Sequence, residues 1–144
     1  MPDPVTAPPE SLAEAFRAVA RQLRHQTQTA LAPWNLTPAQ ARALGTLVRH
    51  GRMRVGTLAE HLRIAPRSAT EVVDDLQGLG LAERHPDPAD RRAVLVSLTD
   101  EGQRISRDIR GARQAAGEQF FAKLSADDRR ELARLLRKLR DDAD

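Results

Sequence analysis

The chain has 144 residues, 40% hydrophobic and 30% charged, which suits one domain or one domain with an appendage and excludes wholesale disorder; no run approaches the roughly 18 apolar residues of a membrane span. Without cysteine there is no disulfide framework, thiolate metal site, catalytic thiol or cysteine redox sensor. The net charge of +3 is too small to identify a nucleic-acid partner, but all of the 23 basic residues except Lys123 and Lys138 are Arg, a bias that suits bidentate contacts to phosphate and guanine and that a GC-rich genome also produces.

Residues 1–10 are proline-rich and read as a disordered lead-in, with none of the basic and apolar regions of a secretory signal, so a cytoplasmic location is expected. From Ser11 a helix is predicted, with Leu12, Phe16, Val19 and Leu23 on one stripe and Pro33 ending it. Thr37-Pro38-Ala39-Gln40 is a strong second start: Thr can cap, Pro suits the first helical position and Gln can complete a capping box. Leu44, Leu47 and Val48 give that helix its apolar face, and Gly51 stops it. A short basic stretch, Arg52-Met53-Arg54, leads to a helix over residues 57–62 and a turn at Arg63-Ile64-Ala65. Pro66 opens the next helix, whose buried stripe is Ala69, Val72, Val73, Leu76 and Leu79.

The period then changes. Residues 81–84 are a strand candidate, residues 85–90 a turn-forming tip, and Val94, Val96 and Leu98 alternate with Leu95 and Ser97, giving a two-stranded hairpin with a long tip. Thr99 caps a long helix striped by Ile105, Ile109, Ala112, Ala116 and Phe120. The last helix carries Leu132, Leu135, Leu136 and Leu139.

The expected fold is mainly α with a small β-hairpin wing: a winged helix-turn-helix at 36–98, flanked by a helical segment at 11–35 and the helices of 99–144, forming a single domain overall. A helix about 10–12 Å across fits a major groove ~12 Å wide, and a hairpin bearing arginines can probe the adjacent minor groove. Residues 49–67 hold Arg49, Arg52, Arg54, Arg63 and Arg67 against the single acid Glu60, so basic charge sits where such a motif needs it.

Leu58-Ala59-Glu60-His61-Leu62, the Leu79-Gly80-Leu81 stop, and the run from Asp87 through Asp90-Arg91-Arg92 to Leu98-Thr99-Asp100-Glu101-Gly102 resemble the multiple antibiotic resistance regulator (MarR) family. The resemblance spans residues 12–139, and the wing Asp-x-Arg followed by Leu-Thr-x-x-Gly is its specific part. It implies a homodimer whose first and last two helices meet across a two-fold axis, placing Leu12, Phe16, Val19, Leu23, Leu132, Leu135, Leu136 and Leu139 at the interface. It also implies a recognition helix in the major groove, an arginine wing in the minor groove, and repression relieved by a small anionic or phenolic effector. Carried over by position, Asp90 and Arg92 match the wing motif, with Asp90 orienting Arg92. Arg67, Ser68, Thr70 and Glu71 follow Pro66 at the exposed start of the recognition helix. Arg91, Arg52 and Arg54 are expected at phosphates. The departures are acidic: Glu71 and Asp75 stand where relatives often carry bases, and with Asp74 they leave only Arg67 to offset them on the helix's outer face. Glu71 can accept from cytosine or repel phosphate.

Trp34 and Arg21 are candidates for an effector pocket, Trp34 with a core role as its alternative. His25, His50, His61 and His85 show no metal-ligand spacing, and no catalytic set or cofactor motif emerges. The expected function is a ligand-responsive repressor that binds a pseudo-palindromic operator on double-stranded DNA, with no membrane partner. Two other classes remain open: a protein-interaction module on the same fold that has lost tight DNA binding, suggested by the acids, and a sequence-independent architectural DNA binder.

Overall fold

The computed structural model describes residues 8–141; the predicted lead-in falls mostly outside them, and residues 8–10 take no regular structure. Helix α1, Leu12–Leu31, starts on a capping box, Ser11-Leu12-Ala13-Glu14, a pattern present in the sequence that the prediction of a helix from Ser11 passed over. The Ser11 hydroxyl accepts from the Glu14 amide at 3.1 Å, and the Glu14 carboxylate accepts from the Ser11 amide at 3.3 Å. A single 3₁₀ turn, Ala32–Trp34, follows at Pro33 and ends on Asn35 in the left-handed region. Helix α2, Pro38–His50, begins on the expected Thr37–Gln40 box, with both reciprocal bonds at 3.1 Å, and ends at Gly51 with φ 76°.

Strand β1, Met53–Arg54, leads directly into α3, Val55–Leu62, and α4 runs Pro66–Gly78. Strands β2, Ala82–Asp87, and β3, Asp90–Leu98, complete an antiparallel sheet in the order β1-β3-β2. Helices α5, Asp100–Phe121, and α6, Ala126–Asp141, close the chain. Among the described residues no helix is long and apolar enough to cross a membrane.

Three expectations are corrected. The basic stretch before α3 contributes a strand, because Met53 is buried opposite Val96; two residues are too few for an alternation to show in sequence. The hairpin tip is short rather than long. Proline is tolerated at Pro86 because β2 is an edge strand, and the Asp87 carboxylate accepts from the Ala89 amide at 2.9 Å, closing the turn around Pro88-Ala89. Leu79 is 56% exposed instead of buried. Helix α4 stops at Gly78, the chain reverses at Gly80 with φ 74°, and Leu81 turns back to bond the Leu76 carbonyl at 2.9 Å and enter the core in its place.

The chain divides into two compact units. The unit Leu31–Ala112 holds a core built on Leu44, Leu58, Val73, Leu76 and Val96, each fully buried and each contributing about 1.5–3 kcal/mol by leaving water. Half-buried Ile105 and buried Ile109 bring the first half of α5 into this core. The other unit takes the chain up to Ala30 and from Arg113 onward. Among its described residues only Ala116 is buried, while Leu12, Phe16, Val19, Leu135 and Leu139 are 44–87% exposed. Phe121, Leu132, Ala133 and Leu136 line an apolar groove of about 400 Å³ there.

The start of α5 is locked against the end of α4. The Thr99 amide donates to the Leu81 carbonyl at 3.1 Å, its hydroxyl donates to the Gly80 carbonyl at 2.6 Å, and the Gly102 amide donates to that hydroxyl at 3.0 Å. A Cβ on Gly102 would lie 2.0 Å from the Leu81 carbonyl oxygen, so the Leu-Thr-x-x-Gly spacing is enforced by a backbone contact. Replacing a helical Gly by Ala gains roughly 1 kcal/mol of propensity, but forcing atoms into a closed contact costs about 1–3 kcal/mol or more. Gly102→Ala should therefore lose stability by about 1–3 kcal/mol. Urea unfolding followed by circular dichroism checks this, and an unchanged midpoint would contradict the contact.

Candidate nucleic-acid interface

The site grows from the two faces of α4. Ala69, Val72, Val73 and Leu76 point into the core, so helical periodicity turns Arg67, Ser68, Thr70 and Glu71 outward, and all four are exposed. Arg67 and Glu71 lie one turn apart with 3.9 Å between charged atoms, at 93% and 68% side-chain exposure, so solvent screens the pair and leaves both charges accessible. The Thr70 hydroxyl donates to the Pro66 carbonyl at 3.1 Å, which leaves its lone pairs facing outward as acceptors.

The other two acids of α4 are engaged. Asp74 accepts from Arg84 of β2 at 2.6 Å, and Arg84 also donates to Gln77. Asp75 accepts from the side-chain amide of buried Gln40 at 3.2 Å. The expectation that Arg67 alone offsets three acids is corrected for one of them: Arg84 pairs with Asp74, while Asp75 accepts from the neutral Gln40 amide and keeps its charge. Sequence reasoning missed Arg84, although the alternation of β2 places it on the same face as buried Ala82. Gln40 was assigned only its capping role.

On the wing, Arg91 and Arg92 are exposed, and with Arg52 before β1 they have no ion-pair partner among the described residues. Asp90 does not pair with the Arg92 guanidinium. Its Oδ1 accepts from the Arg92 amide at 3.0 Å, so its contact with Arg92 is to the backbone. Arg54 is tied to the wing tip: its Nε and Nη2 donate to Asp87 Oδ2 at 3.2 and 2.9 Å, and its Nη2 lies 3.9 Å from Asp90. The Ala89 amide, then the Arg54 guanidinium, hold the Asp87 carboxyl below its ordinary value of 3.8.

Two further features were not visible in sequence. Arg63, exposed in the turn before α4, holds φ 55°, a left-handed conformation that ends α3 and that glycine usually fills. His50 and His61 stack with ring centroids 4.4 Å apart, but among the described residues no group of three His, Cys, Asp or Glu side chains could hold a metal ion. Trp34 is half-buried against the core of the Leu31–Ala112 unit, while Arg21 is exposed on α1.

This arrangement has relatives. The MarR family model matches residues 34–93. An uncharacterized HTH-type transcriptional regulator of Mycobacterium leprae is 36% identical over 118 residues, covering 82% of this chain and 80% of that protein. The HTH-type transcriptional repressor MdtR of Bacillus subtilis is 26% identical over 125 residues, covering 87% and 81%. Among solved structures, the apo form of wild-type MarR from E. coli superposes with a TM-score of 0.79 at 26% identity, covering 92% of this chain and 98% of that one.

Proposed function

The chain belongs to the MarR family of transcriptional regulators, and from that premise we propose that it is a sequence-specific DNA-binding repressor, not an enzyme, acting as a homodimer on a pseudo-palindromic operator. Helix α4 enters the major groove with Arg67, Ser68, Thr70 and Glu71 at base edges and phosphates, and Arg92 of the wing enters the minor groove. Half-sites then fall about one helical turn apart, ~34–36 Å. Arg91 and Arg52 serve the phosphates. The observation that carries this reading is the outward face of α4, exposed opposite an apolar inward face, with wing arginines that have no ion-pair partner among the described residues in the same unit. The protein-interaction reading is less favoured, because Asp74, one of the three acids behind it, is paired with Arg84 within the fold.

The homodimer is supported by the α1, α5 and α6 segments of the second unit, where Leu12, Phe16, Val19, Leu135 and Leu139 remain in water and Leu23, Leu132 and Leu136 are half-buried. A small anionic or phenolic effector is the proposed release signal, with Trp34 as its optical reporter and Arg21 as a cationic candidate.

Arg92→Ala should weaken binding to a duplex selected by the wild-type protein by about 1–3 kcal/mol, the usual cost of a lost groove contact. Unchanged affinity in a folded variant would remove the wing from the interface. Glu71→Gln discriminates between two roles. If Glu71 only repels the backbone, binding to selected and random duplexes should rise together, by up to about 1 kcal/mol. If it accepts from a cytosine, selected-site affinity should fall while random-duplex binding does not. The first outcome is expected. Leu139→Asp should shift the assembly toward monomer in sedimentation; a wild-type chain that is already monomeric would refute the dimer.

A further inference from the structure

The register of the wing contains a jump. Pro86 of β2 pairs with Val94 of β3, and the next residue, Asp87, pairs with Asp90. Over that step β2 advances by one residue and β3 by four, so Arg91, Arg92 and Ala93 have no register partner on β2. A bulge of this kind re-aims side chains and interrupts the ladder. The two arginines proposed to meet DNA therefore sit on the part of the wing that the sheet does not fix.

What does fix it are side chains. Both oxygens of Asp87 are used: Oδ1 by the Ala89 amide at 2.9 Å, and Oδ2 by two nitrogens of Arg54 at 3.2 and 2.9 Å. The Asp87 side chain is only 11% exposed, while Arg54 is 49% exposed. Arg54 lies on β1, which pairs with β3 at Leu95 and not with β2, so this contact spans the central strand from one edge of the sheet to the other. The same guanidinium lies 3.9 Å from Asp90, whose other oxygen holds the Arg92 amide. From β1 to the Arg92 backbone runs one connected set of polar contacts.

We infer that Arg54 and Asp87 are positioning residues, an ion pair that braces the bulged wing so that Arg91 and Arg92 are held ready for the duplex. Arg54 then acts through Asp87 and Asp90 rather than as a phosphate contact. The inference rests on the reading of the wing as a DNA contact. It separates from simple electrostatics because Asp87 is an anion beside cations that meet a polyanion. By charge alone, removing it strengthens binding. As a brace, removing it weakens binding, because the wing arginines lose their fixed pose.

The test uses the full-length chain and a duplex that the wild-type protein selects from a randomised pool. If the wild type selects nothing, the regulator reading fails and this inference falls with it; if it selects a site, the brace is tested on its own. Asp87→Asn should reduce affinity for the selected duplex by about tenfold or more, the size of one lost groove contact, despite the added positive charge. Arg54→Lys, which keeps the charge and loses the two-nitrogen grip, should do the same. Equal or tighter binding by Asp87→Asn, or wild-type binding by Arg54→Lys, would overturn the brace. A measurement without DNA guards against loss of fold. In the carbon-detected NMR titration of the Asp87 carboxyl, the wild-type group should titrate below 3.8 and move up toward that value in Arg54→Gln, with core resonances unchanged. An unmoved titration would also overturn it.

Discussion

Everything that presents the winged helix depends on the backbone crossing at Leu81. The amide of Leu81 returns to the Leu76 carbonyl and closes α4, and its own carbonyl receives the Thr99 amide, which opens α5. The Thr99 hydroxyl bonds the preceding Gly80 carbonyl, and only a residue without a Cβ fits at Gly102. One residue thus terminates α4, leads into the hairpin and anchors the next helix. Because the contact is between backbones, it fixes position more tightly than side-chain packing alone, where rotamers can adapt. The hydrophobic core beneath supplies the energy, and the crossing supplies the registry.

That registry turns a patterning rule into a surface. With Ala69, Val72, Val73 and Leu76 committed to the core, the outward residues of α4 are determined, and so is the fate of its acids. Asp75 comes round to Gln40 at the start of α2, and Asp74 meets Arg84 from β2. These two carboxylates join α4 to its neighbours, Asp74 by an ion pair and Asp75 by a hydrogen bond. All three acids stay exposed, but Glu71 has the loosest partner, an exposed Arg67 at 3.9 Å in high-dielectric surroundings. In the proposed complex, affinity and specificity would be served by different residues. On that proposal the arginines of the turns and wing would supply attraction to phosphates, while the short outward face of α4 would carry what discriminates among bases.

Much of this was legible in the sequence, for a physical reason. Helix existence and orientation follow from periods and caps, so the Thr37–Gln40 start, the Gly51 stop and the inward face of α4 read correctly. The Leu-Thr-x-x-Gly run carried the family resemblance, and the contact of Gly102 with Leu81 supplies its physical reason. Features set by partners distant along the chain did not show. Met53–Arg54 becomes a strand only because β3 supplies an edge for it. Leu79 fits the helical stripe, but the chain leaves the helix one residue earlier. The bridges Arg84–Asp74 and Arg54–Asp87 link residues whose adjacency depends on the folded sheet, and Arg54 alone reads as one more exposed cation. Composition finds charge, while only the fold says which charges are already occupied.

The same distinction governs the helical unit outside the winged helix. A chain segment whose only buried side chain among the described residues is Ala116 has gained little from leaving water, while five large apolar side chains remain substantially exposed. At roughly 25 cal/mol per Å², covering such surface is worth several kcal/mol even after discounting what an unfolded chain already hides. In the proposed dimer, that unspent apolar surface couples assembly to the integrity of the helical unit. Stability of α1 and α6 then depends on protomer concentration, as it does for any assembly whose partner binds the folded form. A second recognition helix is brought in by the same association. A single short outward face, Arg67 to Glu71, offers few base contacts, and doubling it across a two-fold axis converts the second half-site into an intramolecular encounter. In the proposed dimer the exposed apolar side chains and the modest outward face of α4 are therefore two sides of one requirement: so small a reading surface would need the apolar helices to supply the second copy.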